Sequence, residues 1–306
     1  MKQSFAIIGC GKVASALAKQ LTKAGYRPMG FSSRHIISAR AMAKIVNAPD
    51  RCFEKTWEAA IDADFVFITT PDDAIQEACR IIAEHNGFKK NAVVFHCSGA
   101  LSSTELASAK SVQTMSDVMI GSIHPLQSFA VEQPGESGNP FENIMMAVEG
   151  DPLAVEKARK IATDLGAQPF TIKTDGKVLY HAAAVVASNY LVTLMNLSIK
   201  LMTASGVSES EVFDILNPLI MGTLANIESN GIPDALTGPI ARGDVGIVEK
   251  HIQAIRSMSN ENAGEMVGYY KLNGAETIKI AMAKGSLSED AAEKLLRVLT
   301  HRPKEF

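Results

Sequence analysis

A short glycine pattern near the start of the chain has the residue types and spacing that can hold a diphosphate. An apolar run leads into the sequence GCGKVA at residues 9–14. Gly9 permits a tight turn, Gly11 lets the backbone approach a phosphate, and Ala14 allows a helix to pack closely on the strand. The helix would direct its N–H groups and the positive end of its dipole at the anion. We expect a dinucleotide site, whose predicted residues here are Gly9, Cys10, Gly11, Lys12 and Val13.

The residues after the second predicted strand indicate which dinucleotide would bind. NAD-specific sites place an acidic residue there to accept hydrogen bonds from the ribose hydroxyls, but this chain has Ser32, Ser33 and Arg34. Two hydroxyls beside a planar, permanently charged guanidinium suit a 2′-phosphate. We therefore expect NADP, with NAD less favoured. The alternative is that Ser32 or Ser33 caps the next helix and Arg34 is an ordinary surface residue.

Two further strand ends carry polar residues that would meet the nicotinamide half of the cofactor. Ligands of open α/β sheets bind at the carboxyl ends of strands. One strand ends in Thr69, Thr70 and Pro71, which we expect to contact the nicotinamide ribose. The next strand ends in the sequence HCSG at residues 96–99, where Ser98 and the Gly99 N–H are candidates to bind the cofactor or a substrate oxyanion. The alternative is that Pro71 simply opens a helix with acidic residues in its first turn.

A loop in the second half of the chain combines glycine and proline with hydroxyl and charged groups. Residues 237–244 read TGPIARGD. Thr237 and the loop N–H groups can bind an anionic substrate, and Arg242 can pair with its carboxylate or phosphate. Equally, Arg242 and Asp244 can pair with each other and cap the helix that follows.

The elements that position these residues change character about half-way along the chain. Strands alternate with helices at first, which predicts an α/β fold with a doubly wound, mostly parallel Rossmann sheet, and from Gly176 onward helix follows helix. We predict an NADP-binding domain at 1–174 and a helical substrate and dimerisation domain at 175–306. The predicted strands are 5–9, 27–31, 64–69, 92–97, 119–123, 144–148 and 168–173. The predicted helices of the first domain are 12–24, 35–46, 73–85, 102–109 and 152–165. The loop at 124–143 is long enough to be a flap over the cleft.

Composition limits the class of protein. The chain has 306 residues, 46% hydrophobic content and a formal net charge of −3, which fits a globular protein that binds a small molecule and disfavours a nucleic-acid binder. The four cysteines form no Cys-x-x-Cys pair, and we see no signal-peptide cleavage site, so we expect a cytoplasmic protein. We expect no metal site. The apolar stretch at 178–202 is long enough to cross a bilayer. It carries polar residues, among them His181, Ser188, Asn189, Asn196 and Lys200, so we interpret it as a buried helix and not as a membrane span.

Six motifs, in order along the chain, resemble a known family. They are TTPDD at 69–73, HCSGA at 96–100, HPLQSF at 124–129, YHAA at 180–183, ASNY at 187–190 and LTGPIARGD at 236–244. Over nearly its full length the chain resembles a family of NADP oxidoreductases that join a Rossmann-like domain to a helical C-terminal domain of unknown function. More distantly it is similar to β-hydroxyacid, 6-phosphogluconate and prephenate dehydrogenases and to pyrroline-carboxylate reductases. The resemblance implies hydride transfer in a cleft between the domains, often within a homodimer.

The resemblance to prephenate dehydrogenases also implies a role for His124. The histidine-proline pair that begins at His124 is similar to a motif of those enzymes in which the histidine acts toward the substrate hydroxyl. An imidazole suits this work because it can give or take a proton near neutral pH. The alternative is a histidine that only makes structural hydrogen bonds at the end of a strand.

A polar stripe on the helix that starts near residue 175 suggests the remaining catalytic residues. At about 100° per residue, five polar residues share about one third of the helix circumference, namely Lys177, His181, Ser188, Asn189 and Asn196. β-Hydroxyacid dehydrogenases use a lysine and an asparagine one turn apart on the equivalent helix, but here Val185 stands one turn before Asn189. Our hypothesis makes His181 the general acid or base and Asn189 the residue that orients the substrate, with Lys177 a weaker candidate. The alternative is a satisfied core histidine and an amide buried in a dimer interface.

These observations predict an NADP-dependent oxidoreductase that transfers a hydride between nicotinamide and a small polar, anionic substrate bound between the domains. A catalytically silent NADP-binding regulatory protein could keep the same fold. A reductase that uses a deazaflavin coenzyme as its hydride partner is the third alternative. Titratable groups that converge at the nicotinamide end of the site would favour an enzyme, whereas a cleft closed by apolar side chains would favour the regulator.

Overall fold

The computed structural model describes residues 2–110, 117–128, 138–258 and 262–300. Within the chain, contacts define two compact units, Met1–Ser188 and Asn189–Phe306. The predicted domain boundary lies near residue 174, fourteen residues before that division. Nine of the twenty residues of the predicted flap, 129–137, lie outside the described residues.

The N-terminal unit is built on one eight-stranded sheet. Its strand order is β3-β2-β1-β4-β5-β6-β7-β8, and the first six strands follow the 3-2-1-4-5-6 order of dinucleotide-binding folds. Neighbouring strands pair in parallel except β6 and β7, which pair antiparallel. The predicted α/β fold with a mostly parallel Rossmann sheet is therefore confirmed. The strands are β1 Ser4–Ile8, β2 Arg27–Ser32, β3 Cys52–Phe53, β4 Phe65–Ile68, β5 Val93–His96, β6 Met119–Pro125, β7 Met145–Gly150 and β8 Gln168–Thr171.

Helices cover both faces of this sheet. They are α1 Lys12–Lys23, α2 Ile36–Ile45, α3 Thr56–Ala60, α4 Asp72–Glu84 and α5 Pro152–Asp164, and α6 Lys177–Ala187 follows the last strand. Strand alternation divides the apolar residues between the faces: Phe5 and Ile7 pack into one hydrophobic core, while Ala6 and Ile8 pack into another. Buried on both faces, the central strands are continuous apolar runs, as parallel strands require.

The secondary structure of this unit differs from the prediction at several elements. The strand β3 and the helix α3 were not expected from the sequence. The helix expected at 102–109 is a 3₁₀ helix, Ser103–Lys110. A second 3₁₀ turn, Thr174–Gly176, precedes α6.

The C-terminal unit is helical throughout its described part. Its helices are α7 Asn189–Ala204, α8 Glu209–Ala235, α9 Val245–Arg256, α10 Ala263–Lys284 and α11 Glu289–Thr300. Residues from α9, α10 and α11, including Val248, Ile278 and Leu295, form its hydrophobic core. The long helix α8 is broken at Gly231, whose φ of +78° lies in the left-handed region and suits glycine.

The apolar stretch that spans α6 and α7 differs from its prediction in two ways. The helix is interrupted at Ser188, where φ and ψ are −112° and −67°, so a single helical wheel from Lys177 to Asn196 is wrong. The stretch is also not buried in this chain, since Val178, Leu179 and Val192 are 69%, 78% and 69% exposed. By length and composition alone, Thr174–Ala204 is the one described segment long and apolar enough to cross a membrane.

Candidate active site

The turn between β1 and α1 requires glycine at its first position. Gly9 has a φ of +98°, which lies in the left-handed region that glycine favours. Its N–H donates to the Ser32 carbonyl oxygen at 2.8 Å, and the Thr69 hydroxyl donates to the Gly9 carbonyl oxygen at 2.6 Å. A Cβ on Gly9 would lie 2.7 Å from the Thr70 backbone nitrogen. The ends of β1, β2 and β4 therefore meet around Gly9.

The N-terminus of α1 leaves room for an anion. A Cβ on Gly11 would meet no heavy atom within 4 Å. No side chain caps the helix, and no acidic residue lies in its first turn. Backbone N–H groups at such a helix end bind phosphate. The residues present therefore fit the pyrophosphate of a dinucleotide.

The side chains of this turn are either uncharged or exposed to solvent. Lys12 is exposed and Val13 is half-buried. The Cys10 thiol lies 3.6 Å from the Ser32 carbonyl oxygen, and burial raises the pKa of Cys10 to about 12. Because the thiol stays protonated at neutral pH, it adds no negative charge to a site for an anion.

The ends of β2 and β4 present hydroxyl groups to the same edge of the sheet. The buried hydroxyls of Ser32 and Thr70 have no hydrogen-bond partner among the described residues. Ser33 is half-buried and Arg34 is exposed, and within the described residues Arg34 makes no ion pair. The helix α2 begins only at Ile36, and no side chain caps it. Neither Ser32 nor Ser33 therefore caps that helix, as the alternative interpretation required.

Pro71 and the two acidic residues after it start a helix, as the alternative interpretation of this strand end predicts. Pro71 is the N-cap residue of α4, and Asp72 and Asp73 lie in the first turn. This arrangement is favourable for the helix dipole. A residue at the start of a helix can also contact a ligand. The contact of Thr69, Thr70 and Pro71 with the nicotinamide ribose therefore stays a prediction.

The end of β5 is a hydrogen-bonded turn around His96 and Ser98. The Ser98 hydroxyl donates to Asp72 Oδ2 at 2.9 Å and accepts hydrogen bonds from the N–H groups of Ala100 and Leu101. The Ser98 N–H donates to His96 Nδ1 at 3.1 Å. Burial is the main cause that lowers the pKa of His96 to about 4. With three hydrogen bonds already made, the Ser98 hydroxyl in this structure shapes the turn and is not presented to a ligand.

Gly99 is the point at which two imidazole rings converge. A Cβ on Gly99 would lie 2.6 Å from His181 Nδ1 and 2.8 Å from His124 Nε2. The two ring centroids are 6.3 Å apart, and the rings are nearly perpendicular. The buried His181 Nδ1 has no hydrogen-bond partner in the described part of the chain. The structure thus brings together Gly99, His124 and His181, which the sequence had singled out separately.

A tyrosine accompanies His124. The Tyr180 hydroxyl lies 2.7 Å from His124 Nδ1, and the Tyr180 ring also contacts Phe170 edge-on. Burial raises the pKa of Tyr180 to about 12. Burial, with smaller contributions from Lys177 and His181, lowers the pKa of His124 to about 4. Both groups are therefore uncharged at neutral pH.

Lys177 is fully buried and anchors the start of α6. Its Nζ donates to the Ser122 hydroxyl at 2.5 Å and lies 3.9 Å from Glu149 Oε1. Glu149 in turn accepts hydrogen bonds from the Ser103 N–H and hydroxyl, both at 2.8 Å. Burial lowers the pKa of Lys177 to about 8, while the Glu149 carboxylate opposes that shift. The predicted weak catalytic candidate is thus part of a buried polar network that joins α6 to β6 and β7.

The other predicted site residues belong to the C-terminal unit. Asn189 is the first residue of α7 and is exposed. Thr237 and Arg242 are exposed in the loop before α9. Asp244 caps α9, since its Oδ1 accepts a hydrogen bond from the Ile247 N–H at 3.2 Å. Among the described residues Arg242 makes no ion pair with Asp244, so only half of the capping alternative is observed.

Glu149, Ser122 and the role of Tyr180 were not predicted from the sequence. Ser122 and Glu149 are paired across β6 and β7, but they are 27 residues apart in sequence and nothing local connects them. Tyr180 stood in a motif beside His181 without a role of its own. Its spacing of three residues after Lys177 was the one available signal, because residues three apart share a helix face.

Two known protein families match parts of the chain. Residues 4–97 match the family described as NADP oxidoreductase, coenzyme F420-dependent. Residues 144–277 match a domain of unknown function, DUF2520. The two matches follow each other along the chain, and the second extends from the last strands of the sheet into the helical unit. The family resemblance seen in the six motifs is therefore confirmed, and the match supports an oxidoreductase of the nicotinamide-dependent class. No curated protein matches the sequence.

Solved structures share the fold over almost the whole chain. A Bacteroides fragilis protein with a provisional assignment as an NADP oxidoreductase is 23% identical, with a TM-score of 0.69 over 91% of this chain and 98% of that chain. A Thermotoga maritima protein is 26% identical, with a TM-score of 0.67 over 92% and 99%. The imine reductase of Myxococcus stipitatus in complex with NADP⁺ is 15% identical, with a TM-score of 0.60 over 98% and 100%. At sequence identities this low, the structural similarity establishes a common fold.

Proposed function

We propose that the protein transfers a hydride between NADP and a small polar, anionic substrate at the carboxyl edge of the N-terminal sheet. The observation that carries this proposal is the convergence of His124 Nε2 and His181 Nδ1 on Gly99. The convergence of His124 and His181 on Gly99, with Tyr180 beside His124, favours an enzyme over a silent regulator. When bound, the cofactor supplies or accepts the hydride at its nicotinamide C4.

The residues at the β1–α1 turn would hold the cofactor. Gly9 shapes the turn, and the open space at Gly11 admits the pyrophosphate. Specificity for NADP over NAD is assigned to Ser32, Ser33 and Arg34, because the strand end lacks an acid and offers an exposed guanidinium. A guanidinium can bind the 2′-phosphate with two parallel hydrogen bonds.

His181 would transfer the substrate proton. Its Nδ1 is buried and has no hydrogen-bond partner within the described residues, so it is available to a ligand. Lys177 is assigned an anchoring role because its ammonium group is already bound to Ser122 and faces Glu149. Burial is the main cause that lowers the pKa of both His96 and His124, and the positive charge of Lys177 contributes in the same direction.

The reacting group of the substrate is proposed to be a C=N or C=O bond. The imine reductase with this fold acts on the former, as its name states, and a proton donor beside a hydride site serves both. Asn189, Thr237 and Arg242 remain predicted substrate contacts. Arg242 supports this because it is an exposed cation without an ion pair in the described part of the chain.

A screen with isotopically labelled cofactor tests this function. Imines, keto acids and 2-hydroxy acids are incubated with NADPH deuterated at C4, or with NADP⁺, and the products are analysed by mass spectrometry. We expect deuterium in the product of one anionic substrate. His181→Asn should lower kcat about 100-fold, in the range for loss of a general acid, and unchanged turnover would refute the proton role.

A deazaflavin coenzyme is the second candidate partner for the hydride. The description of the matched family, which includes coenzyme F420, favours it. The same assay with an oxidised deazaflavin in place of the organic substrates distinguishes the two. Deazaflavin reduction by NADPH, with no turnover of imines or keto acids, would select this candidate.

A cytoplasmic homodimer is the proposed form of the protein. Large apolar side chains stand exposed on α6, α7 and α8, among them Leu179, Val192 and Leu219. A second copy that covers these faces would bury them without a bilayer. Light scattering after gel filtration should give twice the chain mass of 32.7 kDa. Val192→Asp should give monomers, and a membrane-bound wild type would contradict the assignment.

A further inference from the structure

Tyr180 and His124 form a hydrogen-bonded pair that none of the roles above uses. The Tyr180 hydroxyl lies 2.7 Å from His124 Nδ1. The ring centroids are 5.7 Å apart, and the rings are nearly perpendicular. The other ring nitrogen of His124, Nε2, is the one that faces Gly99. The pair therefore links the first turn of α6 to the atom of His124 that faces the proposed substrate position.

The Tyr180 ring has a fixed position. It contacts Phe170 of β8, with ring centroids 6.0 Å apart, and Lys177 Nζ lies 6.0 Å from its centroid. The Lys177 ammonium is itself held by Ser122 and Glu149. Packing on two sides aims the hydroxyl at His124, as is required of a group that positions another.

The direction of this hydrogen bond follows from the charges of the two partners. A protonated phenol can donate, and a neutral imidazole has one nitrogen that accepts and one that carries a proton. Within the described residues, the Tyr180 hydroxyl has no other hydrogen-bond partner. If Tyr180 donates to Nδ1, the proton of His124 must be on Nε2. The opposite tautomer would leave the phenolic proton without an acceptor there.

We propose that Tyr180 is a positioning residue that fixes the proton of His124 on Nε2, so that His124 presents a neutral N–H donor to the reacting heteroatom of the substrate. This rests on the proposed function for the substrate, but the tautomer itself does not depend on it. Negative charge that develops on the heteroatom during hydride addition would be stabilised by this N–H, while His181 delivers the proton. A neutral imidazole suits the first task because it keeps its proton throughout.

The chain contains a matched control for this pair. His251 and Tyr270, in the C-terminal unit, show the same relationship, with Nδ1 and the hydroxyl 2.8 Å apart and the rings nearly perpendicular. His251 is exposed, Tyr270 is half-buried, and the pair lies outside the N-terminal sheet. A change specific to His124 can therefore be separated from the general effect of removing a tyrosine hydroxyl.

The experiment is a nitrogen NMR spectrum of the histidine rings in the full chain without cofactor, with ¹⁵N-labelled histidine. His124 is assigned by its loss in His124→Gln. At neutral pH we expect a protonated Nε2 and an unprotonated Nδ1 in the wild type. Tyr180→Phe should convert His124 to a mixture of tautomers without changing His251, and Tyr270→Phe should leave His124 unchanged.

Two results would overturn the proposal. One is a wild-type His124 protonated on Nδ1, which decides the question even if Tyr180→Phe does not fold. The other is an identical His124 spectrum in folded Tyr180→Phe. Once a substrate is known, Tyr180→Phe should lower kcat roughly 10- to 100-fold with KM nearly unchanged. If no substrate is found, the proposed function fails while the tautomer remains measurable.

Discussion

Lys177 Nζ lies 3.9 Å from Glu149 Oε1, and both side chains are only 1% exposed. Removing one partner of a buried ion pair leaves an uncompensated charge, which costs about 3–5 kcal/mol. We therefore expect Lys177→Met to lower the free energy of unfolding by about this amount near neutral pH, as measured by urea denaturation. The double variant Lys177→Met/Glu149→Gln should recover part of the loss.

The exposed pair of Glu276 and Lys279 provides the control for this experiment. Exposed ion pairs contribute about 0–1 kcal/mol, so Glu276→Gln should change stability little. Equal losses at the buried and the exposed pair would contradict the anchoring role of Lys177.

The lowered pKa of Lys177 predicts a specific pH dependence of stability. In the folded chain its pKa is about 8, whereas the ordinary value for a lysine, which applies to the unfolded chain, is 10.5. Between these values the unfolded chain binds more protons than the folded chain, so the free energy of unfolding rises with pH. The wild type should gain about 3 kcal/mol relative to Lys177→Met between pH 8 and 10.5. Urea denaturation of both proteins across this range checks the prediction, and a constant difference would show that the lysine titrates normally.

Gly99 should tolerate no side chain if the two histidines act together. The Cβ of Gly99→Ala would lie within 2.8 Å of both imidazoles, and these rings must move. Because no heavy-atom neighbour restricts an added Cβ at Gly246 in α9, Gly246→Ala is the matched control. We expect Gly99→Ala to lower kcat/KM about 100-fold with a folded circular dichroism spectrum, and Gly246→Ala to be fully active. Full activity of Gly99→Ala would show that the reaction does not depend on this arrangement of the two histidines.

Arg34 should distinguish the two nicotinamide cofactors. Loss of a guanidinium that binds the 2′-phosphate should weaken NADPH binding at least about tenfold and leave NADH binding nearly unchanged. Fluorescence titration of Arg34→Ala measures both constants, and Arg80→Ala, which removes an exposed arginine already paired with Glu77 and Glu84, is the control. Equal weakening of both cofactors would refute the assignment of Arg34.

The sheet was predictable because its strands are short apolar runs with clear ends. The strand predicted at 27–31 is Arg27–Ser32, and that predicted at 92–97 is Val93–His96. β3 has two residues, too few to show alternation. The antiparallel direction of β7 leaves no mark on its sequence, because a buried strand is apolar in either direction. Ser188 has no helix-breaking side chain, so the break between α6 and α7 was not foreseen.

The candidate site was predictable only in part. Glycine and histidine at strand ends carry a local signal, which is why Gly9, Gly99 and His124 were singled out. Glu149 stands alone between Val148 and Gly150, and its importance depends on a lysine and a serine from distant segments. Networks of this kind depend on strand register, which an isolated sequence does not reveal.

Calorimetric titration of wild type and Gly11→Ala with NADPH tests most directly whether a nicotinamide dinucleotide binds at the β1–α1 turn. An added Cβ at Gly11 meets nothing within 4 Å, so the variant should unfold at the wild-type temperature. The wild type should bind one NADPH per chain with a Kd of roughly 1–10 µM, and Gly11→Ala should lose this binding because its methyl group occupies the space of the pyrophosphate. Equal NADPH binding by both proteins, or no binding by the wild type, would contradict the account.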